Sequence, residues 1–246
     1  MLVRPGEAED ARAQMVELFP EGFEESETTD GLTLAAYTDA DGEKRLRGAF
    51  GAVESVPVVP DWADRWREFH RSVRAGPFWV GPPWERPPAD ALAIVIDPGR
   101  AFGTGAHATT RLCLELLAEL PPASALDVGS GSGVLAIAAA KRGFKPVVAL
   151  DSDPAAVDAT RANAERNAVA VDARRSDALA EPLPDADVAL ANLTLMDVQA
   201  LAPRLSSRWL IASGYLVSDR PSLAPFRRRR RRTAEGWAAE VFEHGN

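Results

Sequence analysis

Cysteine and histidine are scarce, with one Cys and three His in 246 residues. A single thiol, Cys113, excludes an internal disulfide and points to a reducing, cytoplasmic setting. The histidines, His70, His107 and His244, are scattered and offer no metal-ligand spacing, so no metal site is expected. A surplus of positive charge is also missing. The formal net charge is −8, which disfavours nucleic acid as a direct partner, because phosphate binding takes a basic face. Long apolar runs are absent too. The most apolar stretches, residues 91–96 and 134–140, are well short of the ~20 residues that span a bilayer, and no apolar signal region follows Met1. A soluble cytoplasmic protein, with no membrane contact, is expected.

What remains is an ordinary globular composition, 46% hydrophobic and 26% charged, in a length that fits one core domain with a small appendage. Residues 1–59 read as a small α/β unit. A short strand at 2–4 is followed by helical spacing at Ala8, Ala11, Met15 and Leu18, two strands at 23–28 and 32–38 around Asp30-Gly31, a helix at 43–50 and a strand at 53–59. That β-α-β-β-α-β order predicts a ferredoxin-like sandwich. Residues 60–88 read as a connector helix and a Pro-rich linker. Trp62, Trp66 and Phe69 form a helical stripe, either packed on a neighbouring domain or gripping substrate, before Gly81-Pro82-Pro83 and Pro87-Pro88 break regular structure. Residues 89–246 alternate short apolar strands with helices, the pattern of a mostly parallel sheet covered on both faces. A fragment of residues 89–246 is therefore expected to hold a cofactor by itself. The one low-complexity segment is the arginine run, residues 227–232, which reads either as a docking patch or as a charged edge strand.

The strongest local signal is LDVGSGSGVL, residues 126–135: a buried strand, a glycine-rich turn and a helix start. Glycine lets backbone approach a ligand closely, and a helix start offers N–H groups to an anion. Such a turn cradles either a dinucleotide pyrophosphate or the carboxylate end of S-adenosylmethionine, and residues 131–136 also fit the permissive G-x-G-x-x-A fingerprint. Asp127 either braces the turn or receives an ammonium group. Asp151, ending the next strand, either accepts ribose hydroxyls or caps a helix, with Asp153 the alternative cap. Asp177 either meets an adenine amino group or is an exposed loop acid. Upstream, FGTGAHATT at 102–110 places Gly and hydroxyl residues before a helix that Thr109 or Thr110 could cap; there His107 is either a base or a loop-stabilising residue.

Together FGTGAHATT, LDVGSGSGVLAIAA, LDSDPAAV and ANL resemble the ribosomal protein L11 methyltransferase family over roughly residues 60–220, and also a related mitochondrial lysine methyltransferase of electron-transfer flavoprotein. The resemblance implies a class I (Rossmann-like) methyltransferase domain preceded by a substrate-recognition domain and a connecting helix. It implies methylation of lysine side chains and of the N-terminal amine of free ribosomal protein L11; a monomer is expected, and the net charge argues against direct nucleic-acid contact. It also implies that Thr110, Gly129, Asp151 and Asn192 contact S-adenosylmethionine, with Phe102, Thr104 and Gly131 beside it. The chain departs from the family at Thr194-Leu195-Met196-Asp197, where a small residue and proline are frequent. It departs again at Phe69-His70-Arg71, where relatives carry lysine and proline, and at the six arginines, which replace or interrupt the C-terminal strand.

Methyl transfer from a sulfonium needs a neutral amine, and Asn192 is placed to orient one. No Pro-Pro-aromatic run follows Asn192, which argues against methylation of DNA amines or glutamine amides. Three other readings are another protein target, a nicotinamide-dependent oxidoreductase based on the glycine fingerprint, and a non-catalytic protein-binding module. The oxidoreductase reading leaves the FGTG loop and Asn192 without a role.

Overall fold

The computed structural model describes residues 2–3, 11, 14–15, 18–19, 24–28, 31–36, 38–51, 53–56, 71–97 and 105–245. The stripe Trp62, Trp66 and Phe69, and the site residues Phe102 and Thr104, lie outside them. The chain divides into two compact units, residues 1–63 and 64–246.

In the first unit, β1 (Leu2–Val3), β2 (Glu24–Thr28) and β3 (Gly31–Ala35) form an antiparallel sheet in the order β1-β3-β2. Helix α1 (Ala40–Phe50) starts where the Asp39 carboxylate accepts the N–H groups of Asp41 and Gly42, and stops at Gly51, whose φ of 72° suits only glycine readily. Met15, Leu32, Leu34 and Leu46 form its core. Of the strand expected at 53–59 to complete a ferredoxin-like sandwich, residues 53–56 are not strand and the rest lie outside the described residues. Three of the four expected strands are thus described, and the four-stranded closure is not.

The second unit opens with a small sheet rather than a linker. Strands β4 (Val73–Ala75) and β5 (Phe78–Gly81) pair antiparallel, and β6 (Leu92–Val95) joins β5 in parallel. Part of the segment read as a connector therefore belongs to the larger unit. The apolar stretch at 91–96 likewise pairs here instead of in the central sheet. Phe78, Val80, Ile94 and Ile96 are buried in the main core, and burial of such side chains contributes about 1.5–3 kcal/mol each.

The central elements follow as α2 (Ala108–Leu117), β7 (Ala125–Val128), α3 (Val134–Lys141), β8 (Val147–Asp151), α4 (Pro154–Arg166), β9 (Asp172–Arg175), β10 (Val188–Asn192), α5 (Leu195–Leu201), β11 (Trp209–Leu216), β12 (Phe226–Ala234) and β13 (Trp237–His244). The sheet order is β12-β13-β11-β10-β7-β8-β9, parallel except that β13 runs antiparallel to both its neighbours. This is the class I methyltransferase arrangement. Successive side chains alternate between two cores, as a pleated strand dictates. Ala125, Val188, Leu190 and Ile211 face the core shared with α2 and α3, while Leu126, Ala189, Leu210 and Ala212 face that of α5. After β7 the chain winds outward through β8 and β9, then returns to β10 on the other side of β7. Such a reversal opens a crevice at the carboxyl ends of the strands.

The arginine run does not interrupt the last hairpin. It forms most of β12, which pairs only with β13 at one end of the sheet, with a register irregularity between Arg228 and Arg230. As in any pleated strand the side chains alternate between the two faces, and the irregularity shifts the phase of that alternation within the run. Arg228 and Arg231 meet Glu240 at 3.1 and 3.0 Å, Arg232 meets Glu115 and Glu119 at 3.0 and 2.6 Å, Arg230 meets Glu119, and Arg229 meets Glu243 at 2.8 Å. At the opposite end of the sheet, β9 is short and carries Asp172, Arg174 and Arg175 exposed. Among the described residues no helix is long and apolar enough to cross a membrane.

Candidate active site

The turn after β7 is folded against protein oxygens. The N–H groups of Gly129 and Ser130 donate to Leu150 O at 2.8 and 3.1 Å, and that of Gly133 to Ser130 O at 2.7 Å. The Gly131 N–H donates to Asp151 Oδ2 at 2.9 Å. Gly129 has φ 72°, a left-handed conformation that favours glycine, and a Cβ there would displace the end of the Leu193 side chain, 2.3 Å away. Four of the turn's amides, those of Gly129, Ser130, Gly131 and Gly133, are therefore spent on holding its own shape rather than offered to a pyrophosphate, one of the two ligands its sequence suggested.

Asp127 braces the same turn: its Oδ2 accepts the Ala136 N–H at 3.0 Å. Burial pushes its carboxyl up to about 7; the Ala136 bond opposes the rise and the nearby Asp151 carboxylate adds to it. Asp151 does not cap α4. Asp153 does so, accepting the Ala155 N–H, while Asp151 takes one backbone N–H on each oxygen, from Gly131 and from Asp153. Each of those oxygens keeps a lone pair for a further donor. Asp177 Oδ1 accepts the Leu179 N–H at 2.9 Å, a local turn bond that fixes the carboxylate beside the turn after β9. At the end of β10, Asn192 Nδ2 donates to Thr110 Oγ1 at 3.3 Å across 82 residues of sequence.

One cavity of about 390 Å³ collects these groups. Thr110, Asp127, Gly129, Gly131, Asp151, Asp177 and Asn192 all line it, and its size lies within the range of small-ligand sites. Its titratable described lining consists of carboxylates alone, Asp127, Asp151, Asp177 and Asp197. The geometry thus fits a ligand with positive charge and hydroxyl donors. A larger open depression of about 710 Å³ lies at the other end of the strands; its acids are engaged locally, Asp187 by Ser124 and Asp185 by Ser206.

His107 is not among the cavity's lining residues. It caps α2: its Nδ1 accepts the Thr109 N–H at 3.4 Å and lies 2.7 Å from Thr109 Oγ1, and its ring packs edge-on against Trp237. The cap expected of Thr109 or Thr110 is supplied by His107. Thr110 is instead a helical residue facing Asn192. Cys113 is fully buried, its thiol pushed up to about 12 by burial, and so offers no thiolate. No group of three or more metal-ligating side chains occurs among the described residues.

Several supporting residues were not singled out from sequence. Gly214 sits in β11 at φ 101°, and a Cβ there would lie 1.8 Å from Leu193 O, so this glycine lets the chain after Asn192 lie directly on the sheet. An isolated glycine inside a strand pattern is the signal that marks such a close approach. Thr160 and Asn163 on α4, with Asn167 at its C-terminal cap, form a buried polar stripe. Thr160 donates to Gly131 O, Asn163 to Ser132 O, and Asn167 bonds both the N–H and the carbonyl of Val95. Polar residues recurring at helical spacing on an otherwise buried face are the sequence trace of that brace.

The family model described as ribosomal protein L11 methyltransferase (PrmA) matches residues 10–229. A protein named ribosomal protein L11 methyltransferase from Symbiobacterium thermophilum is 45% identical over 165 residues, which cover 64% of this chain and 54% of that one. A relative of the same name from Pelotomaculum thermopropionicum is 41% identical over 217 residues, covering 79% and 70%. The chain thus spans about half to two thirds of the length of these curated relatives. The crystal structure of a ribosomal protein L11 methylase from Lactobacillus delbrueckii subsp. bulgaricus superposes with a TM-score of 0.65 at 28% identity, covering 72% of this chain and all of that one.

Proposed function

Because the chain belongs to the ribosomal protein L11 methyltransferase family, we propose that its cavity binds S-adenosylmethionine and that the protein methylates amino groups, lysine side chains and the N-terminal amine, of free ribosomal protein L11. The observation that carries the cofactor assignment is the cavity wall, whose described titratable groups are all carboxylates. A pyrophosphate would be repelled there, and the amides of Gly129, Ser130, Gly131 and Gly133 are already bonded within the protein. A sulfonium with its ammonium group is attracted.

S-adenosylmethionine supplies an electrophilic methyl carbon on a cationic sulfur. Asp151 accepts ribose hydroxyls with the lone pairs its backbone bonds leave. Asp127 takes the ammonium, which draws its carboxyl into the ionised form, and Asp177 receives the adenine amino group. By family resemblance, Phe102 and Thr104 would lie beside the cofactor. Thr110 fixes the Asn192 amide so that its oxygen accepts an N–H of the acceptor amine and aims the lone pair. That amine has to be neutral. Transfer from water into the cavity, beside a sulfonium, disfavours its charged form. Positioning then supplies much of the acceleration, and water takes the released proton. The protein acts as a cytoplasmic monomer, and residues 1–63 serve target capture.

Calorimetry with S-adenosylmethionine and NAD, followed by label transfer to free ribosomal protein L11, tests this reading. Binding of S-adenosylmethionine and labelling of lysines are expected. NAD binding of equal or greater strength would return the oxidoreductase reading, and cofactor binding without transfer to any protein would leave only a binding module.

A further inference from the structure

The β12–β13 turn contains a residue in an unfavourable conformation. Ala234 pairs with Trp237, so Glu235 and Gly236 form a two-residue loop, with φ of 51° and 81°. Asn-Gly is the preferred pair for such a loop, and a glutamate at its first position is held left-handed against its own steric preference. Strain of this kind persists only where surrounding contacts determine it, and it clusters at functional sites.

Two of the contacts that hold the turn reach the start of α2. Glu235 pairs with Arg111 at 2.5 Å. That cation stands in the first helical turn, where the helix dipole disfavours positive charge, so the carboxylate offsets a local misfit. Next in the strand, the Trp237 ring meets the ring of His107, the α2 cap, at 4.9 Å and 67°. The Gly236 carbonyl is itself tied down by the Val217 N–H at 2.9 Å. On the far side of this same helical turn, Thr110 holds Asn192. Just before it, Gly105 has φ 90°, and a Cβ there would lie 2.5 Å from the Val80 side chain.

We propose that Glu235 and Trp237 are positioning residues: the hairpin turn clasps the start of α2 and so sets Thr110 and Asn192 against the reacting amine. This deepens the proposed function and rests on it, since the clasp matters to catalysis only if Asn192 orients the acceptor. Neither residue is among those that line the cavity.

The test is Glu235→Asn in the full chain. Asparagine suits the turn but loses the ion pair, so turn stability and clasp are separated. The melting temperature is expected to hold or rise. Hydrogen exchange at residues 108–111 should speed up, and kcat should fall about tenfold, as expected for a misplaced reactive group, with little change in KM for the cofactor. The exchanged pair Glu235→Arg with Arg111→Glu should restore most of both. Unchanged exchange and kcat overturn the proposal, as does a kcat loss that only tracks a lower melting temperature and is not restored by the exchanged pair. If the unmodified chain transfers no methyl group, it is the proposed function that fails, and the exchange measurement still decides the clasp.

Discussion

Burial pushes the Asp127 carboxyl up to about 7, and the consequence for stability has a definite sign. A group that binds its proton more tightly when folded stabilises the fold fully below the ordinary carboxylate range, and that contribution is lost as pH rises through the raised value. Asp127→Asn leaves a neutral, similarly shaped side chain at every pH. Without cofactor, the melting temperature of the variant relative to the parent should therefore climb between pH 5 and pH 8, by on the order of 2–4 °C, the shift that 1 kcal/mol produces in a chain of this size. The same substitution should weaken S-adenosylmethionine binding, because the proposed ammonium partner loses its charge. A stability difference that stays flat across that pH range would show that Asp127 titrates as an ordinary exposed acid.

At the level of elements, β12 and β13 separate two kinds of ion pair. Glu240 is fully buried; it faces Arg231 and Arg228 on one oxygen and accepts the Tyr215 hydroxyl on the other. Arg230 and Arg232 meet Glu115 and Glu119 at half-exposed positions. Removing one partner of a buried pair leaves an uncompensated charge, whereas exposed pairs contribute little. Glu240→Ala should cost near the lower end of about 3–5 kcal/mol, since its arginines retain some water contact. Arg230→Gln with Arg232→Gln should cost about 1 kcal/mol or less for each pair. Denaturant unfolding distinguishes the two, and equal losses would remove the distinction between the faces of β12.

The same scale shows where sequence was readable. The strand, turn and helix at 125–141 announced themselves because the buried run, three glycines and the following apolar helix all fall within a few residues. Asp127 and Asp151 were read from their places beside that turn, and the structure brings both to the cavity. Asn192 and Thr110 were legible only through family resemblance, since their bond spans 82 residues and leaves no local pattern. Strands β4 and β5 were hidden because they hold only 3 and 4 residues and run into Gly- and Pro-rich sequence that mimics a linker. Asn167 was missed for a similar reason: its partner, Val95, lies 72 residues away.

For the molecule as a whole, the small sheet moves the domain boundary. A fragment beginning at residue 89 lacks β4 and β5, so β6 loses the one strand it pairs with among the described residues, and Ile94 and Ile96 lose part of their cover. A fragment of residues 64–246 keeps the entire second unit. It should bind S-adenosylmethionine about as tightly as the full chain yet methylate ribosomal protein L11 poorly, while residues 89–246 should aggregate or bind a hydrophobic dye. Equal melting temperatures for the two fragments would show that the small sheet is dispensable and restore the shorter boundary.

The two ends of the seven-stranded sheet have a consequence for how this protein meets others. Strand β12 presents guanidinium groups along its length, and β9 presents Asp172, Arg174 and Arg175. An extended segment that tried to add itself to either side would have to strip water from those charges before it gained its first backbone hydrogen bond. Lateral growth of the sheet is thereby discouraged at both ends. An extended segment offered to this protein is steered away from strand addition at both edges of the sheet.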